Sequence, residues 1–207
     1  VTAGTGGDVT FSGLVGDTTP LGAITINSAN NVTANGVRAA SLVQTTGQAT
    51  TLLNAGTFTD TTVEALNTTG ATGVSVTAKA ITLKDKLTTS GTGAVVLSAT
   101  ANSGGLLTLD AAGDIVANGS VDLTGTGGIS TAGDVTTNVA SSPVNYHSGT
   151  TLTGAVAIDT TNAGGVAAGS LVRLFTTLDG NQTLGVTAGT GGDVTFSGLV
   201  GDTTPLG

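Results

Sequence analysis

The sequence predicts an all-β chain folded as a parallel β-helix, a solenoid of stacked turns with a thin aliphatic core. Three observations carry that prediction: a long exact repeat, a shorter apolar period inside it, and a composition unlike that of an ordinary globular domain. Residues 1–22 read VTAGTGGDVTFSGLVGDTTPLG and residues 186–207 read the same, so Val186 stands where Val1 stood. Identity over such a stretch marks a tandem unit, and long-period self-similarity is the signature of solenoids, propellers and arrays. The chain therefore divides into one complete unit, 1–185, and the start of the next, 186–207, continuous with the first.

Inside the unit an apolar column runs Val9, Val32, Leu53, Val74, Val95, Ile115, Val135, Val156, Leu174, Val194. Its nine steps predict about nine rungs of roughly 20–21 residues per unit. Gly93, Gly113, Gly133 and Gly154 each stand two residues before a column member. A glycine recurring in one phase predicts a corner where the backbone takes unusual angles or approaches a neighbour closely. A propeller would repeat every 40–50 residues or so. A sandwich would share the frequent turns but not the stacked column. At ~4.8 Å per rung, nine rungs predict an axial length of roughly 43 Å per unit.

Composition agrees. Charged residues make up 9% of the chain, against roughly 25% in typical soluble domains. Aromatics are 2%, with no Trp and no Met, while glycine reaches 34 residues. A core of Val, Leu, Ile, Ala and Thr suits narrow regular layers better than one wide interior. Mean hydropathy is positive at +0.34, which argues against disorder driven by polarity. The net charge of −8 argues against nucleic-acid binding, which calls for a basic face. No apolar run is long enough for a membrane-spanning helix, so membrane insertion is not expected. There is no cysteine and hence no disulfide framework.

The elements follow in order. DVTF (8–11), AITI (23–26), GVSV (73–76), AITL (80–83), LTL (107–109), VDL (121–123) and AVAI (155–158) alternate apolar with small or polar residues, the period of a half-buried strand. Between them lie GTGG (4–7), NG (35–36), SGTG (90–93), NSGG (102–105), NG (118–119), GTGG (125–128), NAGG (162–165) and DGN (179–181). Gly and Asn tolerate positive φ, so these predict turns. The best helical pattern, residues 37–53, contains Gly47 and many threonines, and reads as strand and corner instead.

Chemistry-bearing residues are sparse. His147, the one histidine, sits in SSPVNYHSG (141–149), which predicts an exposed loop or bulge; no second His or Cys could join it as a metal ligand. Asp114 and Asp134 follow Gly113 and Gly133 one rung apart. Stacked at about 4.8 Å, their charges would repel by ~0.9 kcal/mol in water. They are the one candidate metal site, for Ca²⁺, which takes carboxylate and carbonyl oxygens. The alternative is two splayed, solvated side chains, and the glycine-rich nonapeptide of calcium-binding β-rolls is not repeated here. No other cofactor and no catalytic residue is expected. GTGGD (4–8) lacks the Lys-Ser/Thr of a phosphate loop and recurs as GTGGI (125–129), which marks a solenoid corner. Lys79, Lys84 and Lys86 are close enough in sequence for a small basic patch, with a solvated face beside Asp85 as the simpler reading.

GDVTFSGLVGDTTPLGAITINSANNVTANGV (7–37), GVSVTAKAITLKDKLTTSGTGAVVL (73–97) and GDIVANGSVDLTGTGGISTAGDVTT (113–137) resemble the giant β-strand-repeat exoproteins of bacteria, relatives in style of the filamentous-haemagglutinin adhesins. The resemblance covers essentially the whole chain. It implies a right-handed β-helix, export to the cell surface or beyond, and a structural or adhesive fibre. The partners to expect are further copies of the repeat, laterally or end-to-end associated solenoids, and host or cell-surface glycans. The competing expectations are an ice- or carbohydrate-binding solenoid, whose threonines do not align into one column by eye, and a β-helical carbohydrate-active enzyme.

Overall fold

The computed structural model describes all residues, 1–207, and every regular element is a strand; the longest run Val37–Asn54 and Leu66–Leu83. Apart from one short antiparallel pair, Gly56–Thr57 with Val63–Glu64, every strand pairing is parallel. The chain winds as a β-helix with three faces, each visited once per turn.

On the first face Val9 stacks on Val32, then come Thr51, Ile81, Leu107, Ile129, Thr150 and Leu178. The second face carries Val15, Val37, Leu66, Leu87, Ile115, Val135, Ile158 and Val186. Along the third run Ile24, Leu42, Val74, Val95, Val121, Val144, Val172 and Val194. Most strands are short and alternate buried, half-buried, buried. That alternation aims every second side chain inward. The inward residues merge into one core of 38 buried residues, aliphatic except for Tyr146. Each fully buried Val, Leu or Ile contributes about 1.5–3 kcal/mol, and the ladder between turns satisfies the backbone amides.

Corners explain the small residues. At the third-to-first corner the inward stack is Ala29, Gly47, Ala78, Ala99 and Gly125. A Cβ on Gly47 would lie 2.9 Å from that of Ala78, so nothing larger fits. At the end of the second face the stack is Ala39, Thr68, Thr89, Ala117 and Thr137. Here Thr137 Oγ1 donates to the Ser142 carbonyl at 3.0 Å, turning the chain with a side-chain hydrogen bond.

The architecture is as the sequence predicts, and residues 37–53 are strand. The rung spacing differs. Seven turns separate Val9 from Leu178 on the first face. A turn therefore averages (178 − 9)/7, about 24 residues, still within the range of solenoid repeats. Individual steps vary widely: the step from Leu42 to Val74 is nearly twice as long as that from Ile24 to Leu42. The apolar column read from the sequence is not one column. Val9, Val32 and Leu53 lie on the first face, Val74 and Val95 on the third, Ile115, Val135 and Val156 on the second, and Leu174 and Val194 again on the third. The physical reason is that stacking constrains strands and leaves corner lengths free. A constant period therefore slides from face to face while meeting a buried aliphatic residue at nearly every step. Gly93 likewise belongs to the second-to-third corner, and Gly113, Gly133 and Gly154 to the first-to-second.

The repeat and the turn are consequently out of step. Val194, the repeat of Val9, stacks on Val172 of the third face, two faces beyond Leu178. Val200, the repeat of Val15, bridges to Leu178 on the first face, whereas Val15 bridges to Val37 on the second. The local backbone is the same in both copies: φ is 77° at Gly4 and 80° at Gly189, and 72° at Gly16 and 69° at Gly201. One repeat unit thus spans seven and two-thirds turns, about 37 Å at ~4.8 Å per turn.

Candidate functional site

The first-to-second corner brings Asp114 and Asp134 together. The Asp134 amide donates to Asp114 Oδ1 at 2.8 Å, and the Ala157 amide donates to Asp134 Oδ1 at 2.7 Å. Each carboxylate thus stands in for a missing carbonyl and caps the amide of the following turn. The same device opens the first face, where Asp8 Oδ1 accepts from Asn31 N at 3.0 Å and Asn31 Oδ1 accepts from Thr50 N at 3.2 Å. The contacts from Asn31, with a further one from the Asn30 side chain, hold the Asp8 carboxyl below its ordinary value. Asn ladders close the strand ends: Asn54 donates to Asn35 Oδ1 at 2.8 Å and Asn138 to Asn118 Oδ1 at 3.1 Å. The Ca²⁺ expectation finds two carboxylates here and no more, since nowhere do three His, Cys, Asp or Glu side chains converge to hold a metal ion.

His147 is exposed at the corner that follows the strand Val144–Tyr146, so the 141–149 segment is part loop, as expected, and part strand. Pro143, which has no N–H, stands just before the strand Val144–Tyr146, and its carbonyl accepts from Val121 N at 2.9 Å. Tyr146 is the largest fully buried side chain in the molecule, and burial pushes its phenol upward. The His147 ring stacks on Phe175 one turn on, centroids 4.9 Å apart, and its Nε2 lies 3.1 Å from Asp122 Oδ1 one turn back. Asn145 Nδ2 donates to the same oxygen at 2.9 Å. The ring therefore clamps three successive turns from outside. Beside it runs an open groove of about 560 Å³, lined chiefly by glycines and the hydroxyls of Thr126, Ser130, Ser148, Thr150 and Thr177.

The basic patch divides. Lys79 follows the third-face segment, and Lys84 and Lys86 lie beyond the first-face stretch of the same strand, at the next corner. Lys86 instead borders a cluster that the sequence reading does not assemble. Arg38 Nε donates to Glu64 Oε1 at 2.6 Å, and its two terminal nitrogens reach Asp60 at 2.9 and 3.2 Å. The guanidinium lies 3.9 Å over the Phe58 ring. Glu64, with only 2% of its side chain exposed, also accepts from Asn67 at 3.2 Å. The bidentate Arg38 contact, helped by Thr62, draws the Asp60 carboxyl down to about 2. Asp17, held low by the hydroxyl and amide of Thr59, ties the tip of the same excursion to a segment two turns earlier. Asp60 and Glu64 each lie one turn beyond Arg38, so the signal for this cluster is a period somewhat longer than that of the apolar column. These groups are committed to one another, and the cluster pins the 55–65 excursion against the second face.

A row of hydroxyls also emerges. On the outside of the first face, Thr10, Thr33, Leu52, Thr82, Thr108, Ser130 and Thr151 follow one another turn by turn. The GTGGD and GTGGI stretches, 4–8 and 125–129, are both corners leading into first-face strands, as the sequence predicts.

The surface is acidic overall, with 13 Asp and Glu against 5 Lys and Arg. No helix is long and apolar enough to cross a membrane. No family model matches this chain, and no curated protein or solved structure matches it either.

Proposed function

We propose that this chain is a segment of a long, secreted or surface-displayed repeat fibre that acts as a rigid stalk or filament with a structural or adhesive role. One observation carries the reading. The second copy of the repeated sequence continues the parallel stack without a break and adopts the backbone of the first. A unit that ends in mid-stack suits continuous propagation rather than separate folded beads. The conspicuous side-chain clusters support the same reading. The Asp and Asn ladders, the Arg38 cluster and the His147 clamp all join one turn to the next.

The test is cryo-electron microscopy of the native, unfragmented material. A layer line near ~4.8 Å on a continuous filament, with an axial unit of about 37 Å, supports the reading. Discrete beads joined by linkers would overturn it.

A further inference from the structure

A β-helix whose repeat held a whole number of turns would place every copy of a feature on one side. This chain is built otherwise. Seven turns carry Val9 to Leu178 on the first face, and its repeat Val194 arrives two faces later. Thr2 bridges to Ser28 just past the third face, while its repeat Thr187 pairs with Asp159 at the end of the second. Val15 and Val200 shift in the same sense, from second face to first. Three separate landmarks thus agree: first becomes third, second becomes first, and third becomes second. The corners do not absorb the mismatch, because both copies of the repeated segment keep one backbone conformation.

We infer that successive units follow a screw of two-thirds of a turn, so that each lateral feature appears on three sides of the fibre in rotation. This rests on the fibre reading and deepens it. Register returns only after three units, which is 23 turns or about 110 Å at ~4.8 Å per turn. One lateral feature is the 55–65 excursion, locked by Arg38 on Asp60 and Glu64. It sits at the first-to-second corner here, at the third-to-first corner in the next unit, and at the second-to-third corner after that. The fibre therefore has no single interactive side. A partner lying along it, a second fibre of the same chain included, meets any given loop about every 110 Å rather than about every 37 Å.

Thr57, exposed on the excursion, supplies the test. The unit has no cysteine, so Thr57→Cys in adjacent units marks one position per unit. Gold clusters coupled to that thiol on the full-length filament are imaged by cryo-electron tomography. The screw predicts labels stepping by about 37 Å along the axis and by one-third of a circle around it. Labels in a single line on a continuous filament would overturn the screw and leave the fibre reading intact. Labels on separate beads would overturn the fibre reading and the screw with it. Ala167→Cys, exposed at the second-to-third corner, is the second variant and must give the same rotation should Thr57→Cys fold poorly.

Discussion

Gly13 and Gly198 are the same residue of the repeat, in the same local sequence. Neither has a positive φ, yet their surroundings differ. A Cβ added at Gly13 meets nothing within 4 Å. At Gly198 it runs into the Thr176 carbonyl and comes to 2.7 Å from Thr177 N, both on the preceding turn. Replacing glycine by alanine where the backbone permits it stabilises by ~0.4–1 kcal/mol through the unfolded chain, and that part is common to both sites. The closest contact at Gly198, to the Thr176 carbonyl, needs about 1 Å of extra separation to reach ordinary packing, an overpacking that costs ~1–3 kcal/mol. In the 207-residue chain by itself Gly13→Ala is therefore expected to be neutral or slightly stabilising and Gly198→Ala to destabilise its own turn, whereas in the proposed fibre a preceding unit covers Gly13 as Thr176 and Thr177 cover Gly198, and both should destabilise. Hydrogen exchange reads the difference directly. Ser197 and Gly201 donate to Leu174 and Leu178 at 2.9 and 2.8 Å, and their protection should fall by about 5- to 150-fold. Equal effects at the two positions in the 207-residue chain alone would refute the reasoning, because they would mean that the glycine serves its own turn and not the stack.

Leu97→Ala empties a site fully buried between Val76 and Leu123, at a cost of about 2–5 kcal/mol. Since turns touch only their neighbours, protection should be lost around residues 74–78 and 121–125 and kept near Val9 and Val172; a uniform loss along the chain would contradict the one-dimensional picture. Asp60 is held at about 2 by Arg38, against an ordinary 3.8. Its contribution is present above that ordinary value and disappears as pH falls towards 2, so the 55–65 excursion should become protease-sensitive in that window, and in Asp60→Asn it should already be so at neutral pH. The double substitution Asp114→Asn with Asp134→Asn keeps the acceptor oxygens and should shift stability by no more than about 0.5 kcal/mol, whereas the double alanine variant should lose more. A calcium-dependent melting temperature in the native chain that vanishes in the double Asn variant would support the metal reading of this pair.

The strands are legible in the sequence because their signal is local. Alternation in LTL, VDL or AVAI needs only a few residues, and each forms a strand in the molecule. The turn length is not legible, because it depends on corners. Corner residues follow no period, and the excursions at 55–65 and 160–171 lengthen their turns beyond any average. A regular spacing imposed on such a chain still lands on Val, Leu or Ile, since inward residues of all three faces are chemically alike. That spacing also hides the site. With turns set too short, Arg38 does not meet Asp60 and the threonines do not align. The segment 141–149 misleads for another reason: His147 is exposed at a corner as its surroundings suggest, but Pro143 and Tyr146 beside it also resemble a turn, whereas here the proline precedes a strand and the tyrosine fills the core.

The hydroxyl row on the first face bears on two uses of a solenoid. A flat repeating array of threonines suits a flat, periodic ligand such as ice, and Thr10, Thr33, Thr82, Thr108 and Thr151 supply part of one. The row is one residue wide and already contains Leu52, Ser130 and, at its end, Asp179. The rotation then limits it further. Thr195, the repeat of Thr10, stacks beside Arg173 on the third face, so the next unit's row begins on a different side. A planar ligand would meet a continuous array for at most about 37 Å before the pattern turned away. Lengthening the fibre by further units adds nothing to that contact, whereas each added turn lengthens a stalk and buries its own aliphatic layer. On the proposed screw, further units would extend the rod without extending a flat binding face.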